Sequence, residues 1–234
     1  MRNGSTALGP IGGDITVTNS LVGTTASDNV GLNGITPLSN GNYVVSSFNW
    51  QSAVGVNVGA ATWGSGTVGI HGAITSANSL VGSVDDDHVS SGGVTALTNG
   101  NYVVASSEWN GVAADGGAVT WGNGSDAGPR TVGVVTAANS LVGDTASDKV
   151  GFQGVLALTN GNYVVSSPAW HGVRGAATFG PGAVVGGVRG TVSAANSLVG
   201  GTANDSVSSY GAMALTNGNY VVLSSVWDLS LIHI

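Results

Sequence analysis

Four copies of one block determine how this chain is organised. The sequence Asn-Ser-Leu-Val-Gly begins at Asn19, Asn78, Asn139 and Asn196, with spacings of 59, 61 and 57 residues. In each copy a tyrosine follows that asparagine by 24 residues and a tryptophan follows it by 31. A fixed period of this length is typical of architectures in which each unit packs against the next. We therefore expect one array over residues 1–228, with a partial copy at 1–18, copies starting at 19, 78 and 139, and a truncated copy at 196.

The composition of the block favours strands and turns. Glycine supplies 40 of the 234 residues, charged residues make up only 7%, and hydrophobic residues make up 42%. The residues that favour helices, such as Lys, Glu, Gln and Arg, are scarce, whereas Val, Thr, Ser, Ala, Asn and Gly dominate. Because no segment has a helical period, the sequence predicts an all-β protein.

Each copy is predicted to contain four strands, which are clearest in the third copy. GVLAL at 154–158 and YVVSSPAW at 163–170 flank Asn160-Gly161, a two-residue hairpin signal in which both turn positions take positive φ. A third strand is predicted in GAATWG, ending at Gly64, and in its counterparts; a fourth is predicted in runs such as VGVVTAANSLVG at 132–143. Four short strands in each copy predict a β-propeller of four-stranded antiparallel blades, about four in number. The alternative is a parallel β-helix or solenoid.

The third copy reads NSLVGDTASDKVGFQGVLALTNGNYVVSSPAW, followed by GAATFG. It resembles a degenerate FG-GAP repeat, the unit of propellers in integrin α chains and many bacterial surface proteins. Asp148-Lys149-Val150-Gly151 stands where that family has D-x-F-G, and Ser166-Ser167-Pro168 stands where it has Gly-Ala-Pro. The sequence of the repeat is also similar to tandem repeats of very large bacterial secreted proteins of the filamentous-haemagglutinin or adhesin type. The resemblance implies a propeller that is secreted or displayed at the cell surface.

Calcium binding, which many FG-GAP repeats show, is not expected in this chain. FG-GAP hairpins often carry an acidic D-x-D-x-D-G loop, because Ca²⁺ takes six to eight oxygen ligands with several carboxylates among them. Here the same hairpin reads Thr-Asn-Gly-Asn or Ser-Asn-Gly-Asn, without a carboxylate. We therefore expect no metal and no cofactor.

Two sets of recurring residues are candidates for ligand binding. An aspartate lies nine residues after each Asn-Ser-Leu asparagine, at Asp28, Asp87, Asp148 and Asp205. It is expected either to bind a ligand or cation in each blade or, as we favour, to accept hydrogen bonds from a turn. The recurring tryptophans, Trp50, Trp109, Trp170 and Trp227, are expected either to stack on sugars or, as we favour, to pack between blades.

Nothing in the sequence predicts catalysis. His71, His88 and His171 occupy different repeat positions, and no serine stands in a Gly-x-Ser-x-Gly elbow with matching partners. The net charge of −7 and the scattered basic residues argue against nucleic acid, and no run is apolar enough for membrane insertion. We predict a non-catalytic structural or adhesive module of an exported bacterial surface protein, or alternatively a glycan-binding, lectin-like propeller. Its partners are then an extracellular glycan or protein and the neighbouring repeats of a longer chain.

The last six residues break the repeat. Residues 229–234 read LSLIHI, whereas earlier copies continue past the tryptophan as WQSAVG, WNGVAAD or WHGVRGA. The hexapeptide resembles the translation of a sequencing-library adapter. Residues 229–234 are therefore expected to be a sequencing artefact rather than part of the fold, and the natural protein is expected to be longer.

Overall fold

The computed structural model describes residues 13–53, 55–183 and 185–227. The start of the partial copy and the hexapeptide at 229–234 lie outside these residues. The secondary structure consists of short strands and one helical turn, α1 (Trp170–Val173). The strands are β1 (Leu21–Val22), β2 (Ile35–Pro37), β3 (Tyr43–Ser47), β4 (Ala60–Gly64), β5 (Gly72–Ala73), β6 (Leu80–Val81), β7 (Val94–Ala96), β8 (Tyr102–Ser106), β9 (Ala118–Gly122), β10 (Gly133–Val134), β11 (Leu141–Val142), β12 (Val155–Ala157), β13 (Tyr163–Ser167), β14 (Ala176–Gly180), β15 (Gly190–Thr191), β16 (Ser197–Val199), β17 (Ala212–Ala214) and β18 (Tyr220–Val222).

Each repeat forms one small sheet, so the prediction of an all-β repeat protein is confirmed. The first sheet has the strand order β10-β6-β4-β3-β2, the second β15-β11-β9-β8-β7, and the third β12-β13-β14-β16. Within each sheet four strands of the same repeat pair antiparallel. A leading pair, β1-β5, and a trailing pair, β17-β18, lie at the two ends of the array. None of the sheets formed by the described residues closes on itself.

The predicted fourth strand is divided by a turn. In the run at 132–143, β10 ends before the turn and β11 begins after it. The second half pairs antiparallel with β9 of its own repeat, whereas the first half pairs parallel with β6 of the preceding repeat. The same arrangement joins β5 to β1 and β15 to β11. This segment therefore links each sheet to the next.

The Asn-Gly hairpin has a three-residue loop rather than the expected two-residue turn. φ is positive at Gly41, Gly100, Gly161 and Gly218 (84° to 88°) but at none of the asparagines before them. In the first copy the Gly41 N–H donates to the Leu38 carbonyl and the Leu38 N–H donates to the Asn42 carbonyl. This pattern is a turn closed by a left-handed glycine bulge, the common three-residue hairpin loop. The glycine is required there, but the asparagine has to be explained by something other than its backbone conformation.

The hydrophobic cores lie between consecutive sheets. One cluster combines Val44, Trp63 and Leu80 of the first sheet with Tyr102 and Val104 of the second. A second cluster of the same composition lies between the second and third sheets, and a smaller one lies beside the leading pair. A single repeat therefore has no complete core of its own, and its stability depends on its neighbours.

Candidate functional site

The sequence LTNGNYVV, with LSNGNYVV in the first copy, lies where neighbouring repeats meet. The first asparagine of the loop accepts a hydrogen bond from the backbone N–H two residues later, as Asn40 Oδ1 does from Asn42 at 3.1 Å. Its side-chain amide then donates to the equivalent glycine carbonyl of the next repeat. The distances are 3.3 Å from Asn40 to Gly100, 3.3 Å from Asn99 to Gly161 and 3.2 Å from Asn160 to Gly218. The asparagine thus fixes its own turn and holds the next repeat in register.

The second asparagine of the loop and a strand tryptophan donate to one carbonyl of the next repeat. The Gly124 carbonyl accepts hydrogen bonds from Asn42 Nδ2 at 2.8 Å and from Trp63 Nε1 at 3.1 Å. One repeat later, the Gly182 carbonyl accepts bonds from Asn101 and Trp121, both at 2.9 Å. We call the two loop asparagines, this tryptophan and the accepting carbonyl the inter-repeat joint.

The asparagine of Asn-Ser-Leu-Val-Gly stabilises the turn that divides the fourth strand. Asn139 Oδ1 accepts hydrogen bonds from the Thr136 N–H at 2.8 Å and the Ser140 hydroxyl at 2.8 Å. Its amide donates to the Val134 carbonyl at 2.9 Å. Asn19, Asn78 and Asn196 make the corresponding contacts. This side chain is therefore used entirely to shape the segment that links two sheets.

The recurring aspartates are buried and accept backbone hydrogen bonds. Asp148 is fully buried; its Oδ2 accepts bonds from the Asp144 and Thr145 N–H groups at 3.1 and 3.0 Å. Its Oδ1 accepts a bond from the N–H of His171, the residue after Trp170, at 2.7 Å. Asp28 and Asp87 make the same bridge to Gln51 and Asn110. Each of these three aspartates therefore ties a turn to the residue that follows the recurring tryptophan.

The hydrogen bonds to Asp28 outweigh the effect of its burial. Burial alone raises the pKa of this carboxyl. Bonds from the Thr25 hydroxyl and from the N–H groups of Thr25, Thr24 and Gln51 lower it, so that the pKa lies below its ordinary value. The carboxylate form is thus the one that the turn binds.

The recurring tryptophans differ in exposure along the array. Trp50, Trp109 and Trp170 are 5%, 3% and 5% exposed, whereas Trp227 in the truncated copy is 51% exposed. The indole N–H groups of the three buried tryptophans have no hydrogen-bond partner among the described residues. Only Trp227 presents an accessible indole, and ligand binding by these tryptophans and by the four aspartates stays a prediction.

Two carboxylates and an imidazole converge in the third copy. Asp144, Asp148 and His171 each bring one ligand atom within 4.8 Å of the others, the one such group of three in the described part of the chain. His171 Nε2 contacts Asp144 Oδ1 at 2.8 Å, and the His171 ring stacks on Trp170 with centroids 4.1 Å apart. Because the Asp148 oxygens already accept three backbone N–H bonds, the group forms a hydrogen-bonded turn, and we assign no ligand to it.

A polar groove runs between the loops of the second and third copies. Its volume is about 660 Å³, and it is lined by Asp85, Asp86, His88, Glu108, Asn110, Asp115 and Lys149. His88 Nδ1 lies 3.1 Å from Glu108 Oε2, and Lys149 Nζ lies 3.8 Å from Asp115 Oδ2. No two copies share these side chains, so the groove varies along the array.

The chain matches a sequence family over most of its length. The family is described as "Repeat of unknown function (DUF5650)", and the matches cover residues 3–32, 37–91, 96–152, 157–209 and 214–232. The chain belongs to this family. Four successive DUF5650 matches begin at 37, 96, 157 and 214, and these starts have the same spacing as the Asn-Ser-Leu-Val-Gly copies. No curated protein matches the chain.

Some residues of the DUF5650 joint were missed from the sequence. Asn42 and Asn101 were interpreted only as part of a turn, and Trp63 and Trp121 only as part of a strand. The feature of the sequence that could have revealed these residues is the recurrence of Asn-Gly-Asn and of Trp-Gly, since a turn alone does not require the second asparagine.

None of the helices in the described residues is long and apolar enough to span a membrane.

Proposed function

We propose that the chain is a non-catalytic structural module of an exported bacterial surface protein, with an adhesive role carried by its variable loops. The observation that carries this proposal is the use of the recurring polar side chains. The asparagines of both motifs and the aspartates bind backbone groups within a repeat or across to the next one. A catalytic centre needs unlike groups that converge on a substrate, whereas these groups are alike and are engaged in holding repeats together.

The variable loops are the surface on which such a module can differ from copy to copy. The residue that binds the buried aspartate through its N–H is Gln51, Asn110 or His171 in successive copies. The backbone bond is kept while the side chain changes. Loops on a rigid scaffold commonly carry recognition, which makes the polar groove around Glu108 and Asp115 the most suitable surface for it.

The contacts between repeats favour an open stack, the solenoid alternative, over a ring of propeller blades. At the first-strand edge, the Thr36 hydroxyl donates to the Val94 carbonyl and the Thr95 hydroxyl to the Val155 carbonyl. At the opposite edge, the fourth strand pairs parallel with the linking segment of the next repeat. Propeller blades radiate from a central channel, so close contact at both edges suits stacking better. In this proposal the chain resembles FG-GAP repeats in the order of its strands.

Small-angle X-ray scattering of the intact chain tests the structural role. A module held together by the inter-repeat joint is expected to scatter as one rigid, elongated particle whose profile changes little with salt, because the bonds of the joint are neutral apart from the one that Asn42 donates to the Asp126 carboxylate. The matched variant Asn101→Asp places a charge in the joint and should broaden the profile, whereas Asn110→Asp in the groove should not. A compact or flexible profile for the unmodified chain would contradict the proposal.

The lectin-like alternative depends on the exposed indole of Trp227. An aromatic face that lies open to solvent is suitable for stacking on a sugar ring. Binding of the full chain to a glycan array, lost in Trp227→Ala and kept in Tyr210→Ala, would favour this alternative. Tyr210 is the matched control because it is an exposed aromatic residue in the same copy. No binding to any glycan would leave the structural role as the better account.

A further inference from the structure

The Asn-Gly pairs of this chain differ in how the glycine N–H is bonded. Among the described residues, seven such pairs begin at Asn33, Asn40, Asn99, Asn110, Asn123, Asn160 and Asn217. In six of them the glycine N–H donates a hydrogen bond, at Gly34, Gly41, Gly100, Gly161 and Gly218 to a backbone carbonyl and at Gly124 to the Asn101 side chain. The Gly111 N–H donates to no group in the described part of the chain, and Gly111 is exposed.

This N–H decides how readily an asparagine before it can lose its amide. The glycine nitrogen gives up its proton and attacks the asparagine Cγ, so that the N–Cγ bond forms, the Cγ–Nδ2 bond breaks and ammonia leaves. Water then opens the resulting succinimide ring to aspartate or isoaspartate. Asparagine is a thermolabile residue, and glycine has no side chain to shield its nitrogen. A glycine N–H that is bonded to a carbonyl is held away from this reaction.

In the inter-repeat joint both reacting groups are held. Asn99 Oδ1 accepts a hydrogen bond from the Asn101 N–H at 3.1 Å, and the Asn99 amide donates to the Gly161 carbonyl of the next repeat at 3.3 Å. The Gly100 N–H donates to the Leu97 carbonyl at 3.1 Å. Ring closure at this pair has to break all three bonds, so the stacking of the repeats protects the asparagine.

At Asn110 the side chain is bonded, but the attacking nitrogen is not. Asn110 Oδ1 accepts a hydrogen bond from the Asp115 N–H at 2.8 Å, and its amide donates to the Asp86 carbonyl at 3.0 Å. Both partners are backbone groups of the loops that line the polar groove. A Cβ at position 111 would clash with the Trp109 ring, so the packing requires the glycine that makes this pair reactive.

We propose that Asn110 is the site at which the folded chain deamidates, while the asparagines of the joint are protected. The equivalent positions in the first and third copies hold Gln51 and His171. Glutamine would have to close a six-membered ring, which forms more slowly, and histidine has no side-chain amide. The modification is therefore specific to the second copy.

Deamidation changes the groove but keeps the bond that anchors the loop. The amide that donates to the Asp86 carbonyl becomes a carboxylate, which cannot donate, and the groove gains a negative charge. The N–H of residue 110, which donates to Asp87 Oδ1 at 2.9 Å, is retained. This inference goes beyond the proposed function, because the reaction belongs to the chain itself and occurs whether or not the groove binds a ligand.

Incubation of the intact chain at mildly alkaline pH, followed by peptide mapping with mass spectrometry, tests the proposal. Cleavage after Glu108 separates Asn99 from Asn110. In the folded chain we expect deamidation at Asn110 to be at least about tenfold faster than at Asn99, because one hydrogen bond fewer has to break. In urea the two sites should react at similar rates, since both then have only the local sequence Asn-Gly.

Asn110→Gln and Asn33→Gln are matched variants. Asn33 also lies outside the joint, but the Gly34 N–H donates to the Gly31 carbonyl at 2.9 Å. We expect Asn110→Gln to remove the rapid charge change that ion-exchange chromatography detects in the folded chain, and Asn33→Gln to leave it in place. Equal rates at Asn110 and Asn99 in the folded chain would overturn the proposal, as would a rapid charge change that survives Asn110→Gln. Neither result would affect the structural role.

Discussion

Replacing Asp148 by asparagine tests whether the recurring aspartate is a structural group. The substitution keeps the size of the side chain but converts one of its two oxygens into an amide donor. Asp148 receives two N–H bonds at Oδ2 and one, from His171, at Oδ1. Whichever way the amide is oriented, its NH₂ group faces an N–H donor in a fully buried position. At least one of the three bonds must therefore be lost.

The magnitude follows from the kind of bond that is lost. A hydrogen bond to a charged acceptor contributes about 1.5–3 kcal/mol, and a buried donor left unpaired costs about 1–3 kcal/mol. Because these two figures describe overlapping effects, we expect Asp148→Asn to lower the free energy of unfolding by about 2–4 kcal/mol. The matched control is Asp144→Asn, four residues earlier in the same turn, where the carboxylate is partly exposed and contacts His171. An exposed pair of this kind contributes about 0–1 kcal/mol.

Urea unfolding followed by tryptophan fluorescence measures the difference, with Trp170 adjacent to the affected bond. We expect the midpoint of Asp148→Asn to fall by about 1 M or more, and that of Asp144→Asn by less than about 0.5 M. Equal shifts in the two variants would refute the reasoning. So would a stabilisation of the unmodified chain by divalent cations that both variants abolish, because that result would make the turn a cation site.

Two further predictions concern the joint and the core. In urea unfolding, Gly161→Ala should destabilise the chain more than Gly154→Ala. Both glycines have positive φ, so the backbone strain is the same in the two variants. A Cβ at Gly161 would lie 2.9 Å from Asn99 Nδ2, whereas a Cβ at Gly154 would have nothing within 4 Å. Equal costs would show that the joint is not tightly packed there. Burial raises the pKa of Tyr163 from 10.0 to about 12. Below pH 10 the Tyr163 hydroxyl keeps its proton in both the folded and the unfolded state. Between pH 10 and about 12 only the unfolded state loses this proton. The free energy of unfolding should therefore fall by roughly 2–3 kcal/mol over that range. In Tyr163→Phe this loss should be smaller, and an unchanged pH dependence would contradict the burial argument.

The period and the strand order of the fold could be predicted from the sequence. Asn-Gly between two apolar runs indicated the hairpin of β12 and β13, and GAATFG indicated β14. The loop type was wrong, because Asn-Gly also fits a three-residue loop in which only the glycine takes positive φ. The divided fourth strand could not be seen either. Its apolar pattern continues through the turn at Thr136, and the recurrence of Asn139 in the sequence does not show that its side chain holds that turn.

The joint itself could not be predicted because its partners are one repeat apart. The bond from Trp121 to the Gly182 carbonyl joins residues separated by 61 positions, and local pattern reasoning does not reach that far. A distance of one period between two recurring polar residues is a signal that can be sought in other repeat sequences. The burial of Trp170 also depends on contacts between repeats rather than on local sequence, because Trp170 belongs to the hydrophobic cluster between the second and third sheets.

The central claim, that inter-repeat joints arrange the repeats in an open stack, is tested most directly by distances between equivalent positions. The chain contains no cysteine, so pairs of spin labels can be placed at Ala26 and at one of its counterparts Asp85, Ala146 and Ala203, all of which are exposed. Pulsed electron paramagnetic resonance then measures the three distances from Ala26. An open stack predicts distances that rise in nearly equal steps from Asp85 to Ala146 to Ala203. A distance to Ala203 that falls back to the value for Asp85 would mean that the repeats close into a ring and would contradict the account.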